Sequence, residues 1–544
     1  IPVSKFFGFD EVLMNIERIE VLKGPQGSLY GKDTEAGAIN IITRQPGNDF
    51  EGKVNMQLGS DNKREYAFNA AGPIIADKLF IGLSGRHYEK DGQIANPYLG
   101  GRFDDRSDNY GRLQLRATPI DNLEISLMSS FFKYGNGDVA FNLSSATKKE
   151  VPSDIHGYDN SEILSHALQV KYNIGRYQLE GFVTQREYKE DSLADLDLSS
   201  ATLYHNYVDS SLKKRSGELR LSSVFGKLNW LVGIYGDDEK DLITGTTNNI
   251  KIDDTNRDDT SIGLFAHASY ELNDRLSLTA GIRYDKEDKT YKEGSVDLAD
   301  SFSAFSPKVA VDYKLFQNTM IYASVARGYR SGGFDILAPA GKKAYDKETL
   351  INYEIGTKNS FLDNTLLLNL ALYYMDISDM QVRSSRSNNP MDRPYITNAA
   401  TATSQGLELE MRYKISRSLE VFGGFAFNHT EFDKYSDFAG DYSGNTNPYA
   451  PEYSGNIGAQ YRASNGLFAR CDLTGYGKTY LDKTNTYERD PYALVNAKIG
   501  YESDSFDIYL YADNLLDEEY DSREEYVVYY SQPLEIGVKL SYRF

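Results

Sequence analysis

The sequence predicts an all-β membrane protein: a 22-stranded antiparallel transmembrane β-barrel with a small N-terminal domain inside its lumen. Three observations predict it. From residue 51 to the C-terminus, segments of about ten residues alternate apolar and polar side chains. Their polar faces carry full charges. The connections between them alternate between short and long, the asymmetry of barrels that cross a bilayer.

The alternation is plainest at the C-terminus. Leu534, Ile536, Val538, Leu540, Tyr542 and Phe544 share one face, and Glu535, Gly537, Lys539, Ser541 and Arg543 the other. In 406–415, Leu407, Leu409, Met411, Tyr413 and Ile415 oppose Glu408, Glu410, Arg412 and Lys414. In 365–374, Leu366, Leu368, Leu370, Leu372 and Tyr374 oppose Thr365, Asn369 and Ala371. One face suits an apolar solvent and the other a water-lined interior. A soluble sandwich would also alternate, but its strands average five or six residues, whereas a tilted membrane strand needs about ten.

Ten short turns recur, from Gly72–Lys78 to Glu502–Ser505. Long loops lie between them at 89–108, 134–163, 189–214, 239–259, 288–302, 330–349, 378–401, 430–451, 477–491 and 516–530. A short first loop near Gly59–Lys63 makes eleven loops and hence 22 strands, a size whose lumen needs a plug.

Composition narrows the function classes. Tyr occurs 42 times and Phe 26 times, against one Trp and one Cys, and a quarter of the residues are charged. No apolar run approaches the 18 or more residues of a membrane helix. A net charge of −20 argues against a nucleic-acid partner. Cys471 has no partner for an intrachain disulfide. The six histidines, His87, His156, His166, His205, His267 and His429, have no zinc-motif spacing, so no metal site is expected. No nucleophile–base pair is placed by any motif, and an enzyme is not expected.

Residues 1–50 form a separate unit ahead of the barrel at 51–544. Ile16 to Leu22 reads as a short strand, Lys23 to Gly31 as a glycine-punctuated turn, and Gly37 to Thr43 as a second strand. Neither a GxxxxGK[ST] nor a GxGxxG pattern marks a phosphate site here.

The stretch IERIEVLKGPQGSLYGKDTEAGAINIITRQP, with Glu20, Gly24, Pro25, Gly31, Gly37 and Asn40 inside it, resembles the closing half of the plug of TonB-dependent outer-membrane receptors. The segments RGYRSGGF (327–334), NYEIGTKNSFLDNTLLLNLALYYMDISDMQV (352–382), NAATATSQGLELEMRY (398–413) and YLYADNLLDEEY (509–520) resemble that family's barrel. Terminal Tyr542 and Phe544 look like the aromatic signal read by barrel-assembly machinery. The resemblance covers essentially the whole chain.

That resemblance implies a monomer in the bacterial outer membrane, amid lipid and lipopolysaccharide, that imports a scarce nutrient when TonB, with ExbB and ExbD, pulls on the plug. A signal peptide, a TonB box and a first plug half would precede residue 1. The chain as written is therefore expected not to engage TonB. The resemblance also implies that Arg18 meets Glu354 and Glu408, pinning the plug to the wall. Register places Glu354 and Glu408 on the lumen face, where ordinary solvated charges are the other reading.

The commonest cargo of such receptors is an iron–siderophore complex, with iron part of the ligand and no resident cofactor. Tyr329, Arg330 and Phe334, with Arg383, Arg386, Arg393 and Tyr395, are the candidate ligand-loop residues. The acidic run Asp237, Asp238, Glu239, Asp241, Asp253, Asp254, Asp258 and Asp259 reads as a solvated loop or a divalent-cation contact. Haem uptake would call for paired histidines with FRAP- and NPDL-like motifs, which the sequence lacks. Cobalamin, oligosaccharide uptake and a passive or adhesive barrel stay open.

Overall fold

The computed structural model describes residues 12–138, 141–339, 341–385, 387, 394–524 and 527–544. Twenty-two antiparallel strands close into one barrel, the first, Glu51–Gly59, pairing with the last, Glu535–Arg543. The count agrees with the reading from sequence. Two positions in the wall carry an interrupted strand. Val296–Phe305 and Lys308–Phe316 both pair with Leu276–Glu293, and the gap holds Pro307, which has no N–H for the ladder. Ile250–Lys251 likewise folds onto the outer end of Leu228–Thr247 ahead of Thr255–Glu271.

The two faces separate as alternation requires. Ile536, Leu540, Tyr542 and Phe544 are exposed on the outside, while Gly537 and Ser541 are buried on the lumen side. Leu370, Leu372 and Tyr374 repeat this, as do Ile234, Ile262, Leu264 and Ile282. So large an apolar outer surface is tenable in lipid and not in water. Among the described residues, no helix is long and apolar enough to cross a membrane.

Strand lengths depart from expectation. The longest, His205–Phe225, has 21 residues, about 70 Å at some 3.4 Å per residue. A tilted span of a hydrocarbon core about 30 Å thick needs only about ten. The excess stands above the bilayer, so several predicted loops shrink: 189–214 becomes 196–204 and 239–259 becomes 248–254. Beyond the lipid both faces meet water, so the apolar alternation stops while the hydrogen-bonded ladder continues.

Inside the lumen, Ile16–Lys23 pairs antiparallel with Gly37–Thr43, joined through the single-turn helix Gly27–Tyr30. Two glycines are required here. Gly31 closes the helix at φ +83°, donating its N–H to Gly27 O, and its Cα lies against the Arg283 guanidinium. Gly37 sits at φ +150°, where a Cβ would come within 2.4 Å of Leu22 O. The helix turn docks at the interrupted part of the wall, with Gly27 against Ser306 and Ser28 against Gly281.

Candidate functional site

The lumenal hairpin meets the wall at several places, Thr43 among them with Gln114 at 3.2 Å, and two of these contacts are charged, one wet and one dry. The wet contact is Lys23, at the end of Ile16–Lys23. Its Nζ lies 2.8 Å from both Glu408 Oε2 and Glu410 Oε1. Burial opposes its charge, but these hydrogen-bonded carboxylates offset that and hold its pKa above the ordinary lysine value. A lumenal cavity of about 790 Å³ opens beside it, lined by Asn369, Glu408, Glu410, Arg412, Gln460 and Arg470.

Arg18 does not make the contact expected of it. Its guanidinium pairs within its own strand, with Glu17 and Glu20 at 2.7 Å each, and about half its side chain is exposed. Glu20 also accepts from its cross-strand partner Asn40 at 3.0 Å. Glu354 does face the lumen, but accepts from Tyr322 Oη at 2.7 Å and Asn352 Nδ2 at 3.4 Å. The reason is alternation: Arg18 and Glu20 share one strand face, whereas Lys23 projects on the other, at the end where the chain reaches the wall. Lys23, with Glu408 and Glu410, takes the place expected of Arg18, Glu354 and Glu408.

The dry contact lies in the turn after the helix. Lys32 Nζ sits 3.4 Å from both Asp237 Oδ1 and Glu287 Oε2, whose side chains are 0% and 2% exposed. Lys214 and Lys289 flank this pair, at 2.8 Å from Glu239 and 3.4 Å from Glu287. Burial alone would lower the Lys32 pKa, but the charges of Glu287 and Asp237 raise it well above the usual lysine value. Asp237 is thus a buried wall residue, not the solvated loop charge read from sequence. Asp33 accepts the Ser331 N–H at 3.2 Å, and Gly328 admits Pro25 and Glu35 against the wall.

Around this turn the wall holds two of the predicted loop residues. Tyr329 is only 3% exposed, its hydroxyl donating to Glu287 Oε1 at 3.3 Å. It supports the plug contact and offers nothing to a ligand arriving from outside. Arg330 donates to Glu348 Oε2 at 2.6 Å and to Gln381 O at 3.2 Å. Phe334 is half-buried against Tyr291, with ring centroids 6.4 Å apart.

Nearer the mouth, Arg383 is exposed, and its carbonyl accepts from Tyr435 Oη at 2.8 Å and Lys483 Nζ at 3.2 Å. Lys483 also pairs with Asp437 and lies over the rings of Tyr435 and Tyr442, at 5.4 and 4.8 Å. Tyr395 lines a cleft of about 560 Å³ with Lys342, Ser384, Thr397, Ser436 and Asp437. Arg386 and Arg393 lie outside the described residues.

The family model described as "TonB dependent receptor-like, beta-barrel" matches residues 58–515. The chain belongs to the TonB-dependent receptor family. It is accordingly an outer-membrane receptor and transporter, not an enzyme. The pesticin receptor of Yersinia enterocolitica is 23% identical over 553 residues, 94% of this chain and 78% of that protein. The ferrioxamine receptor of the same species is 24% identical, covering 89% of this chain and 72% of that protein. Among solved structures, the ferric yersiniabactin uptake receptor FyuA of Yersinia pestis superposes with a TM-score of 0.84 at 22% identity, covering 97% of this chain and 85% of that one.

Within this receptor the wet contact is weak and breakable. Exposed ion pairs contribute roughly 0.2–1 kcal/mol, and the side chains of Lys23, Glu408 and Glu410 are 46%, 28% and 55% exposed. Replacing both Glu408 and Glu410 by Gln should therefore ease plug extraction by about 1 kcal/mol in single-molecule pulling. Arg18→Ala should leave the extraction force unchanged. A large effect of Arg18→Ala with none from the double variant would reverse this assignment.

Proposed function

We propose that this receptor imports an iron–siderophore complex, with iron as part of the cargo and no resident cofactor. The observation that carries it is the architecture: a 22-stranded barrel wide enough for a large ligand, with a hairpin tied inside its lumen in part by charged contacts. Such a plug is worth having only for a ligand too scarce or too large for passive diffusion. The relatives narrow the cargo. Their names include pesticin and ferrioxamine receptors, and solved structures of the same fold include the ferripyoverdine receptor of Pseudomonas aeruginosa bound to ferripyoverdine. A metal-pseudopaline receptor of Pseudomonas aeruginosa, 22% identical, supports including other metal chelates in any test.

Energy would arrive through TonB with ExbB and ExbD. Outer-membrane insertion would use the barrel-assembly machinery acting on the last strand, where Tyr542 and Phe544 stack at 6.1 Å on the lipid face. The aromatic and basic groups near the mouth, Tyr395, Arg383 and Lys483 with its tyrosines, suit an anionic, ring-bearing chelate.

The decisive experiment titrates the purified receptor with ferric siderophores of the catecholate, hydroxamate and phenolate classes, haem, cobalamin and oligosaccharides. Tight binding of one ferric chelate is expected, with receptor synthesis rising on iron limitation. Binding of cobalamin or a glycan, and of no iron complex, would overturn the cargo and leave the fold standing.

A further inference from the structure

We propose that the outer end of the barrel carries a binding site for a divalent transition-metal ion, built by Asp154, Asp195 and His205. The ion would clamp the loop segment 144–157 onto the hairpin tip 196–204. Asp195 ends the strand Tyr177–Asp195 and His205 begins the next, His205–Phe225. The two are direct cross-strand partners, so their side chains leave the sheet on the same face. Asp154 comes from the preceding long loop.

The three residues converge closely. One ligand-type atom from each lies within 4.8 Å of the other two. His205 Nε2 is 2.6 Å from Asp154 Oδ1, and Thr202 Oγ1 donates to Asp154 Oδ2 at 2.6 Å. Asp195 supplies the independent indication. Its side chain is fully buried, its Oδ1 accepts the N–H groups of Asp197 and Leu198 at 3.1 Å each, and its Oδ2 is buried with no hydrogen bond made to it, the neighbouring Ser153 hydroxyl donating instead to Ile155 O. A buried carboxylate oxygen left unpaired beside an imidazole and a second carboxylate has a use if a cation sits among them.

The donor set selects the class of ion. Calcium and magnesium take all-oxygen shells of six or more ligands, whereas one imidazole with two carboxylates suits zinc and its first-row neighbours. Ligand atoms about 2.1 Å from zinc in a tetrahedron stand about 3.4 Å apart, within the span of this cluster. The surroundings are already set for a clamp. Ile94, Phe103, Val151 and Leu198 form a buried core beneath the loops, and Asn96 Nδ2 donates to Ser153 O at 3.0 Å. Sequence spacing could not show this site, because its ligands come from a loop and two strand ends.

The test uses the receptor purified in detergent and stripped with a chelator. Calorimetric titration with Zn²⁺ should show one equivalent bound, and Co²⁺ should give visible d–d bands. His205→Gln and Asp195→Asn should each weaken binding by at least about 100-fold and abolish the bands. Asp154→Asn, a loop change that leaves the barrel ladder intact, should do the same if either strand-end variant fails to fold. Zinc should also slow tryptic cleavage after Lys148 and Lys149 by about tenfold. Absence of Zn²⁺ and Co²⁺ binding, unaltered binding in the variants, displacement of zinc by Ca²⁺, or no slowing of cleavage would overturn the proposal.

Discussion

Replacing Lys32 with methionine should weaken the seating of the plug by about 3 kcal/mol, the low end of the range for removing one partner of a buried ion pair. The methionine fills the same volume but leaves Asp237 and Glu287 facing one another in a site where both side chains are almost wholly buried. Lys214 and Lys289 soften the loss, since each already lies 3.4–3.8 Å from one of these carboxylates. Lys32→Arg should restore most of the stability. The loss should appear as open-channel current in planar bilayers and as sensitivity of cells to large antibiotics. Salt separates this contact from the wet one. Raising NaCl from about 0.1 to 1 M shortens the Debye length from about 10 to about 3 Å. It should weaken the Lys23 pairs and leave the Lys32 site nearly unchanged. Because the Lys32 pKa is raised, its contribution is complete at neutral pH and is lost only as pH climbs through that raised value. A Lys32→Met receptor as tightly shut as the parent would show that the helix turn and its glycines hold the plug by themselves.

Most of the barrel was legible in the sequence because lipid imposes a strict rule on one face of every strand. Ile536, Leu540 and Tyr542 had to be apolar, and their period of two is enough to count strands. The rule ends where the lipid ends, which is why His205–Phe225 and Leu228–Thr247 run on through what reads as loop. The site was less legible for a related reason. Lumen charges are tolerated nearly everywhere, so a charge in register says which face it occupies and not what it meets. Glu408 and Glu410 were placed correctly on the lumen side, yet their partner is Lys23 and not Arg18. Lys32, Asp33 and Glu35 fall between the predicted turn and the second predicted strand, and the sequence singles out none of them. Nothing local distinguishes a turn bathed in water from one pressed against a wall. Tyr329 shows the converse error, an aromatic beside a loop that turns out to be buried beneath the plug.

The same turn makes the seating of the plug sensitive to pH through Glu35. The Cα and Cβ of Glu35 pack against Gly328, and its carboxyl Oε2 is buried without a hydrogen-bond partner. Burial raises its pKa, and the neighbouring Glu348 carboxylate raises it further, with only partial relief from Arg330. Glu348 is committed elsewhere, accepting from Arg330 and from the Gln381 N–H at 2.6 Å each. Seated, Glu35 therefore holds a proton that it gives up once the plug leaves the wall. For a group whose pKa is higher in the seated state, the stabilisation is complete below the free value, near 4.5. It is lost as pH rises through the raised one. Seating should accordingly be firmer at pH 5 than at pH 8, by about 1.4 kcal/mol for each unit of the shift. Glu35→Gln, which copies the protonated form, should be as firm as the parent at pH 5, firmer at pH 8, and flat between them. Plug-extraction force measured across that range decides the matter: parallel profiles for parent and Glu35→Gln would mean that Glu35 does not titrate in the seated plug.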